Sequence, residues 1–223
     1  MGGTTTSISR RSADRPKRNS LLGEPTIRQI EAHLKRREKR RDDLFDASRA
    51  LRRRAQGIMG RIHEGRPVGV EIAGLARSAR TLAQRVRGEA GSDRGLAHDA
   101  LQESAEAILL DCVVRGATFP SPKSLGLGPE EYLGGLGDLV GEMRRLTLSA
   151  LSEGNVPLAR EHLREMESVF RALLRFEGPR AIIALKPKQD AARSILEKTR
   201  GDVALAEVLS RAGVRSQLPG DTG

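Results

Sequence analysis

Aromatic side chains are almost missing from this chain: they make up 2% of its 223 residues, and tryptophan is absent. A core must therefore rest on Leu, Ile, Val, Ala and Met. The stacking platforms on which RNA-recognition-motif or OB-type readers hold bases are lacking too. Cysteine occurs once, at Cys112, so neither a disulfide framework nor a cysteine zinc site can be built. Within the apolar run Ala107–Val114, Cys112 reads as a small buried hydrophobe, and a reducing, cytoplasmic setting fits. No apolar run approaches the ~18 residues of a membrane span, so no membrane partner is expected. Strand-like alternation is absent. So are a P-loop, a nucleophile elbow, a Rossmann glycine pattern and H-E-x-x-H, which leaves nucleotide-cofactor and triad-hydrolase chemistry without support.

What is present is charge and helix-forming residues. Charged side chains make up 30% and the formal net charge is +10, a balance that suits a polyanionic partner, nucleic acid before an anionic membrane surface. Apolar residues recur at helical spacing over about 26–63, 68–88, 96–114, 130–152 and 157–176. Pro187 is expected to kink or break the last section, leaving a final helical hairpin around Ile195 to Leu209. The expected fold is all-α: an antiparallel bundle of six to seven helices in one domain over 25–213. A disordered basic arm over 1–24 precedes it, and a flexible tail over 214–223 follows.

One segment carries most of the information. Residues 131–146, EYLGGLGDLVGEMRRL, have helical periodicity through Leu133, Leu136, Val140 and Met143, yet hold four glycines. Each glycine inside a helix costs roughly 1 kcal/mol against alanine, so something must approach this backbone closely: another helix or a ligand. Asp138 and Glu142 lie at i and i+4 on the face beside the glycines. The preceding helix places Glu103 and Glu106 at i and i+3. If these pairs converge, four carboxylates meet, and a hard divalent cation, Mg2+ or Mn2+, would relieve their repulsion. In a basic protein that is the apparatus of metal-assisted phosphodiester hydrolysis. Acids at such spacings also decorate solvated helix faces, so the pattern alone leaves both readings open. Arg144 and Arg145 follow the acids, where Arg145 can meet phosphate or pair with Glu142. His98 and Arg94 precede them. His33, His63 and His162 have no ligand partners at metal spacing. The basic run through Arg36, Arg37, Lys39, Arg40 and Arg41, and on to Arg49, Arg52, Arg53 and Arg54, is either a phosphate-tracking surface or a solvated one.

The 131–146 segment resembles the signature of the translin and translin-associated factor X family. The order around it is similar: a long first helix, the stretch LQESAEA at 101–107, a proline-rich loop, the signature helix, and a Gly154-Asn155 turn leading to a helix with Phe170. The resemblance implies an all-helical, translin-like fold that assembles into hollow octameric particles binding single-stranded RNA and single-stranded DNA. In the translin-associated factor X branch, four carboxylates bind a divalent metal and cleave RNA endonucleolytically. Those positions correspond to Glu103, Glu106, Asp138 and Glu142, all present, which implies the catalytic branch. The family's basic RNA-binding positions are poorly matched; His98, Arg94, Arg144 and Arg145 are the candidates. The partner implied is another copy of the chain or a translin-like subunit. The competing classes are a non-catalytic nucleic-acid-binding ring and a helical scaffold whose basic face meets an acidic protein or membrane.

Overall fold

The computed structural model describes residues 22–87, 91–176 and 185–213, with backbone only at 91–93. Residues 1–21 of the expected arm and all of the expected tail lie outside the described residues. Seven helices are present among the described residues, and no strand: α1 (Glu24–His63), α2 (Gly69–Val86), α3 (Gly91–Val114), α4 (Pro122–Leu125), α5 (Pro129–Ser152), α6 (Val156–Leu173) and α7 (Leu185–Arg211). The all-helical expectation therefore holds, and the short α4 adds a turn of helix to the expected loop.

The chain divides into two compact units at Arg41/Asp42, inside α1. In the first, no described residue is buried, and Ile30 and Leu34 are 47% and 56% exposed. The charged run Lys35–Asp43 has nothing to bury, so α1 enters a core only from Leu44 onward.

In the second unit, the remainder of α1 turns inward through Leu51, Ala55, Ile58 and Ile62. Sequence neighbours pack antiparallel, as their short connections require. Helices two apart in the bundle run parallel, as α5 and α7 do where Asp138 meets Lys188 and Arg144 meets Asp202, and one such pair carries the site. α3 and α5 run parallel: His98 faces Glu131, while Gln102 faces Gly134, Gly135 and Asp138. The proline-rich segment 115–128 returns the chain to the starting end, pinned where the Tyr132 hydroxyl donates to the Pro120 carbonyl at 2.9 Å. Gly116, with φ 60°, releases the chain from α3; the Ala117 amide reaches back to the Cys112 carbonyl at 2.8 Å, a cap that needs a left-handed residue. Gly154, with φ 74°, ends α5 in the same way. Asn155 then caps α6, its side chain accepting from the Leu158 amide at 3.1 Å.

Leu109, Leu110, Leu139, Val140, Met143 and Leu173 are wholly inaccessible. Each such side chain contributes roughly 1.5–3 kcal/mol through removal from water. Cys112 is buried among them, as expected.

The end of the chain corrects two expectations. Pro187 neither kinks nor breaks α7, and there is no terminal hairpin: Leu185–Arg211 is one helix. Pro187 falls in the first turn, where a missing amide hydrogen leaves no bond of the described helix unmade. Gly201 is carried inside the continuous helix, and the residues on either side of it are tied to α5 and α6 through Arg144–Asp202 at 2.8 Å and Arg200–Glu167 at 2.8 Å.

Candidate metal centre

The parallel pair α3 and α5 brings the four acids into one neighbourhood. Its closeness comes from Gly135: a Cβ there would lie 2.7 Å from the Gln102 carbonyl oxygen and 2.9 Å from the Glu106 amide nitrogen. A glycine on α5 thus sets the distance between two acid-bearing helices. Gly134 similarly accommodates the Gln102 side chain, and Gly137 the stem of Lys188 from α7. Gly141 has open space where its side chain would be. The glycines of this segment therefore serve mainly helix-to-helix approach.

Glu106 is the centre of the group. Burial pushes its carboxyl up to about 8, and the negative charges of Asp138, Glu142 and Glu103 push in the same direction. Three acids from two helices bear on one buried carboxyl that has no ion-pair partner of its own among the described residues. The other three each meet a basic side chain. The Arg52 guanidinium of α1 lies 2.6 Å from Glu103. Asp138 accepts from the Gln102 amide at 2.6 Å on one oxygen and from the Lys188 ammonium at 2.6 Å on the other. Glu142 pairs with the His63 ring, and that hydrogen bond holds its carboxyl below the usual carboxylate range. The second Glu103 oxygen is buried without a partner.

Four carboxylates are the oxygen donors that a hard divalent cation takes. The unpartnered Glu103 oxygen and the raised Glu106 are the two features such an ion would relieve. Among the described residues, no three His, Cys, Asp or Glu side chains stand together at ligating geometry.

The basic candidates separate. Arg145 is 63% exposed and only 3.9 Å from Glu142, beside the acids and open to solvent. Arg144 turns to α7, meeting Thr199 at 2.9 Å and Asp202 at 2.8 Å. Arg94 and His98 stand at the start of α3, near Glu130 at 3.8 Å and Glu131 at 3.6 Å. The hydrogen bond that Glu131 accepts from His98 raises the histidine, and the same bond lowers Glu131.

Three contributors escaped the sequence reading: His63, Arg52 as the partner of Glu103, and Lys188. His63 lies 79 positions before Glu142, too far for spacing rules. Lys188 sits beside the proline that suggested a break. Only Gln102 had a local signal, one residue ahead of the first acid.

A helical bundle whose parallel helix pair gathers four acids is the class this fold and site define. Residues 96–200 match the translin family model, a stretch that begins within α3 and ends within α7. Over 103 residues the chain is 37% identical to an uncharacterised protein of Methanocaldococcus jannaschii, an alignment covering 46% of each; the chain thus spans less than half of that relative. Among solved structures, AfC3PO is similar at TM-score 0.73 and 28% identity, covering 82% of this chain and 97% of that one. AfC3PO in complex with duplex RNA gives TM-score 0.73 and 27% identity, over 82% and 96%. NeC3PO shares the fold at TM-score 0.74 and 21% identity, over 82% and 97%. No helix among the described residues is long and apolar enough to cross a membrane.

Proposed function

We propose that this protein is a metal-dependent endoribonuclease that binds and cleaves RNA, single-stranded RNA first, within an oligomeric particle formed with further copies or a translin-like partner. Glu103, Glu106, Asp138 and Glu142 would hold Mg2+ or Mn2+. The observation that carries this reading is Glu106, a buried carboxyl pushed up to about 8 with three more acids bearing on it. Buried like charges persist where a cation completes them. Bound there, the ion would supply an activated water and charge stabilisation at the phosphate. The chain's own residues do the rest. Gln102 orients Asp138, and Gly135 fixes the spacing of the acids. The exposed Arg145 is placed to meet a phosphate beside them. The similarity to AfC3PO, which has been captured with duplex RNA, supports RNA as the ligand and makes duplexes a substrate to test beside single strands.

The test is cleavage of labelled RNA with Mg2+ or Mn2+. Activity should vanish in EDTA and in Glu103→Ala and Asp138→Ala while binding persists. Cleavage that survives chelation, or survives both substitutions, removes the proposal. The pairing of Glu103, Asp138 and Glu142 with basic groups favours a second reading, a particle that binds RNA without cutting it. Salt-sensitive binding with no turnover at any metal concentration would select it.

A further inference from the structure

We propose that Lys188 is the resident counter-ion of the acid cluster, holding with its ammonium the place a divalent cation must take over, so that this lysine sets how tightly the metal binds. The inference rests on the metal reading above and assigns a role to a residue outside the four acids.

Lys188 reaches the cluster from a third helix. Its Nζ lies 2.6 Å from Asp138 on α5, and its charge also acts on Glu106 on α3. It therefore bears on acids from both helices, the relation a bridging ion would have. Arg52 and His63 are each paired with a single acid, Glu103 and Glu142. The position is built rather than incidental. The lysine stem crosses α5 directly over Gly137, where a Cβ would stand 3.1 Å from the Lys188 Cβ and 3.2 Å from its Cδ. Its nearest acid in sequence, Asp190, is engaged by Lys186 at 2.9 Å, leaving Lys188 to the cluster. The side chain is 29% exposed, and its flexible stem can swing the ammonium into water.

A lysine and a divalent ion cannot both occupy this spot. The closed ion pair lowers the fraction of protein competent to bind, and the apparent metal affinity falls by that fraction. Removing the ammonium should remove the competition. A lysine that merely positioned Asp138 would have the opposite effect, since its loss would loosen a ligand.

The full chain is titrated with MnCl2 and with MgCl2 by calorimetry, and its thermal unfolding is followed with and without each ion. Lys188→Met should bind Mn2+ roughly tenfold tighter, melt at a lower temperature when metal-free, and gain more from added metal than the parent. Lys188→Arg, which keeps the charge, should not bind tighter. Gly137→Ala, which pushes the stem aside, should shift affinity in the direction of Lys188→Met. Unchanged or weaker binding by Lys188→Met overturns the proposal. If the parent binds metal, Asp138→Asn abolishes binding and Lys188→Met changes nothing, the counter-ion role fails while the metal reading stands. If neither the parent nor Lys188→Met binds either ion, both fail together. Binding that emerges only in Lys188→Met supports the role outright.

Discussion

Replacing Gly135 by alanine and replacing Gly141 by alanine should have opposite effects on the same helix. Both lie inside α5, and both exchanges gain helix propensity of roughly 1 kcal/mol. At Gly141 nothing lies within 4 Å of the added Cβ, so the gain stands, about 0.5–1 kcal/mol. At Gly135 the added Cβ meets the Gln102 carbonyl oxygen at 2.7 Å, the Ala105 Cβ at 2.8 Å and the Glu106 amide nitrogen at 2.9 Å. Two of these atoms are backbone of a buried helix and cannot rotate away. The helices must part by several tenths of an ångström, and overpacking of this kind costs about 1–3 kcal/mol. The net loss for Gly135→Ala is thus about 0–2 kcal/mol, and the two variants should differ by about 1–3 kcal/mol. Urea unfolding in EDTA measures it, read as a shift in midpoint at unchanged slope. If Gly135→Ala is stabilised as much as Gly141→Ala, the helices are not held at contact distance there, and the account of how the acids are brought together is wrong.

Further outcomes follow from the same geometry. The folded Glu106 keeps its proton up to about 8 while an unfolded glutamate loses it near 4.5. The metal-free protein should therefore lose stability as pH rises between those values, with a slope up to about 1.4 kcal/mol per pH unit; Glu106→Gln should flatten that slope, and an unchanged slope refutes the assignment. His98 is raised by Glu131, so its contribution is complete below its unfolded value and fades as pH rises through its folded one. His98→Gln should cost more stability at pH 5.5 than at pH 8, by under about 1 kcal/mol because the ring is partly exposed. Arg145→Glu should weaken RNA binding and lower its salt dependence without moving the melting temperature, since this side chain is 63% exposed; Met143→Ala, wholly buried, should cost about 2–5 kcal/mol.

Most of the architecture was legible because helical periodicity is local. The stripe Leu133, Leu136, Val140 and Met143 is buried as its spacing requires, and the Gly154-Asn155 turn falls where its residue types place it. Both acid pairs could be read the same way, since i,i+3 and i,i+4 relations lie within one helix. What could not be read was the pairing between helices. Nothing local to α1 shows that His63 meets Glu142, or that Arg52 meets Glu103. The parallel course of α3 and α5 depends on a long returning loop, and parallel neighbours leave no short-turn signature. Pro187 misled for a related reason: proline breaks a helix interior but suits a first turn, and the difference is set by where the helix begins.

Two buried acids on α3 explain why the cluster stands apart from ordinary charge burial. Asp111 is as buried as Glu106, yet Arg115 lies one turn away with its guanidinium 2.6 Å from the carboxylate. That charge is matched within its own helix. One turn and a residue earlier, Glu106 faces acids instead, and burial and those acids act on it in the same direction. A chain with 39 Lys and Arg residues has no shortage of cations, and it matches Asp111, Glu103 and Asp138 individually, while Glu142 meets the His63 ring. Leaving Glu106 unmatched costs stability that Glu106→Gln would recover at neutral pH. A residue that weakens the fold where a neutral isostere would not is best explained by what it binds. Glu106→Gln should therefore gain stability in EDTA and lose its response to Mn2+, and a variant that gained the first without losing the second would show the buried acid to have no part in holding metal.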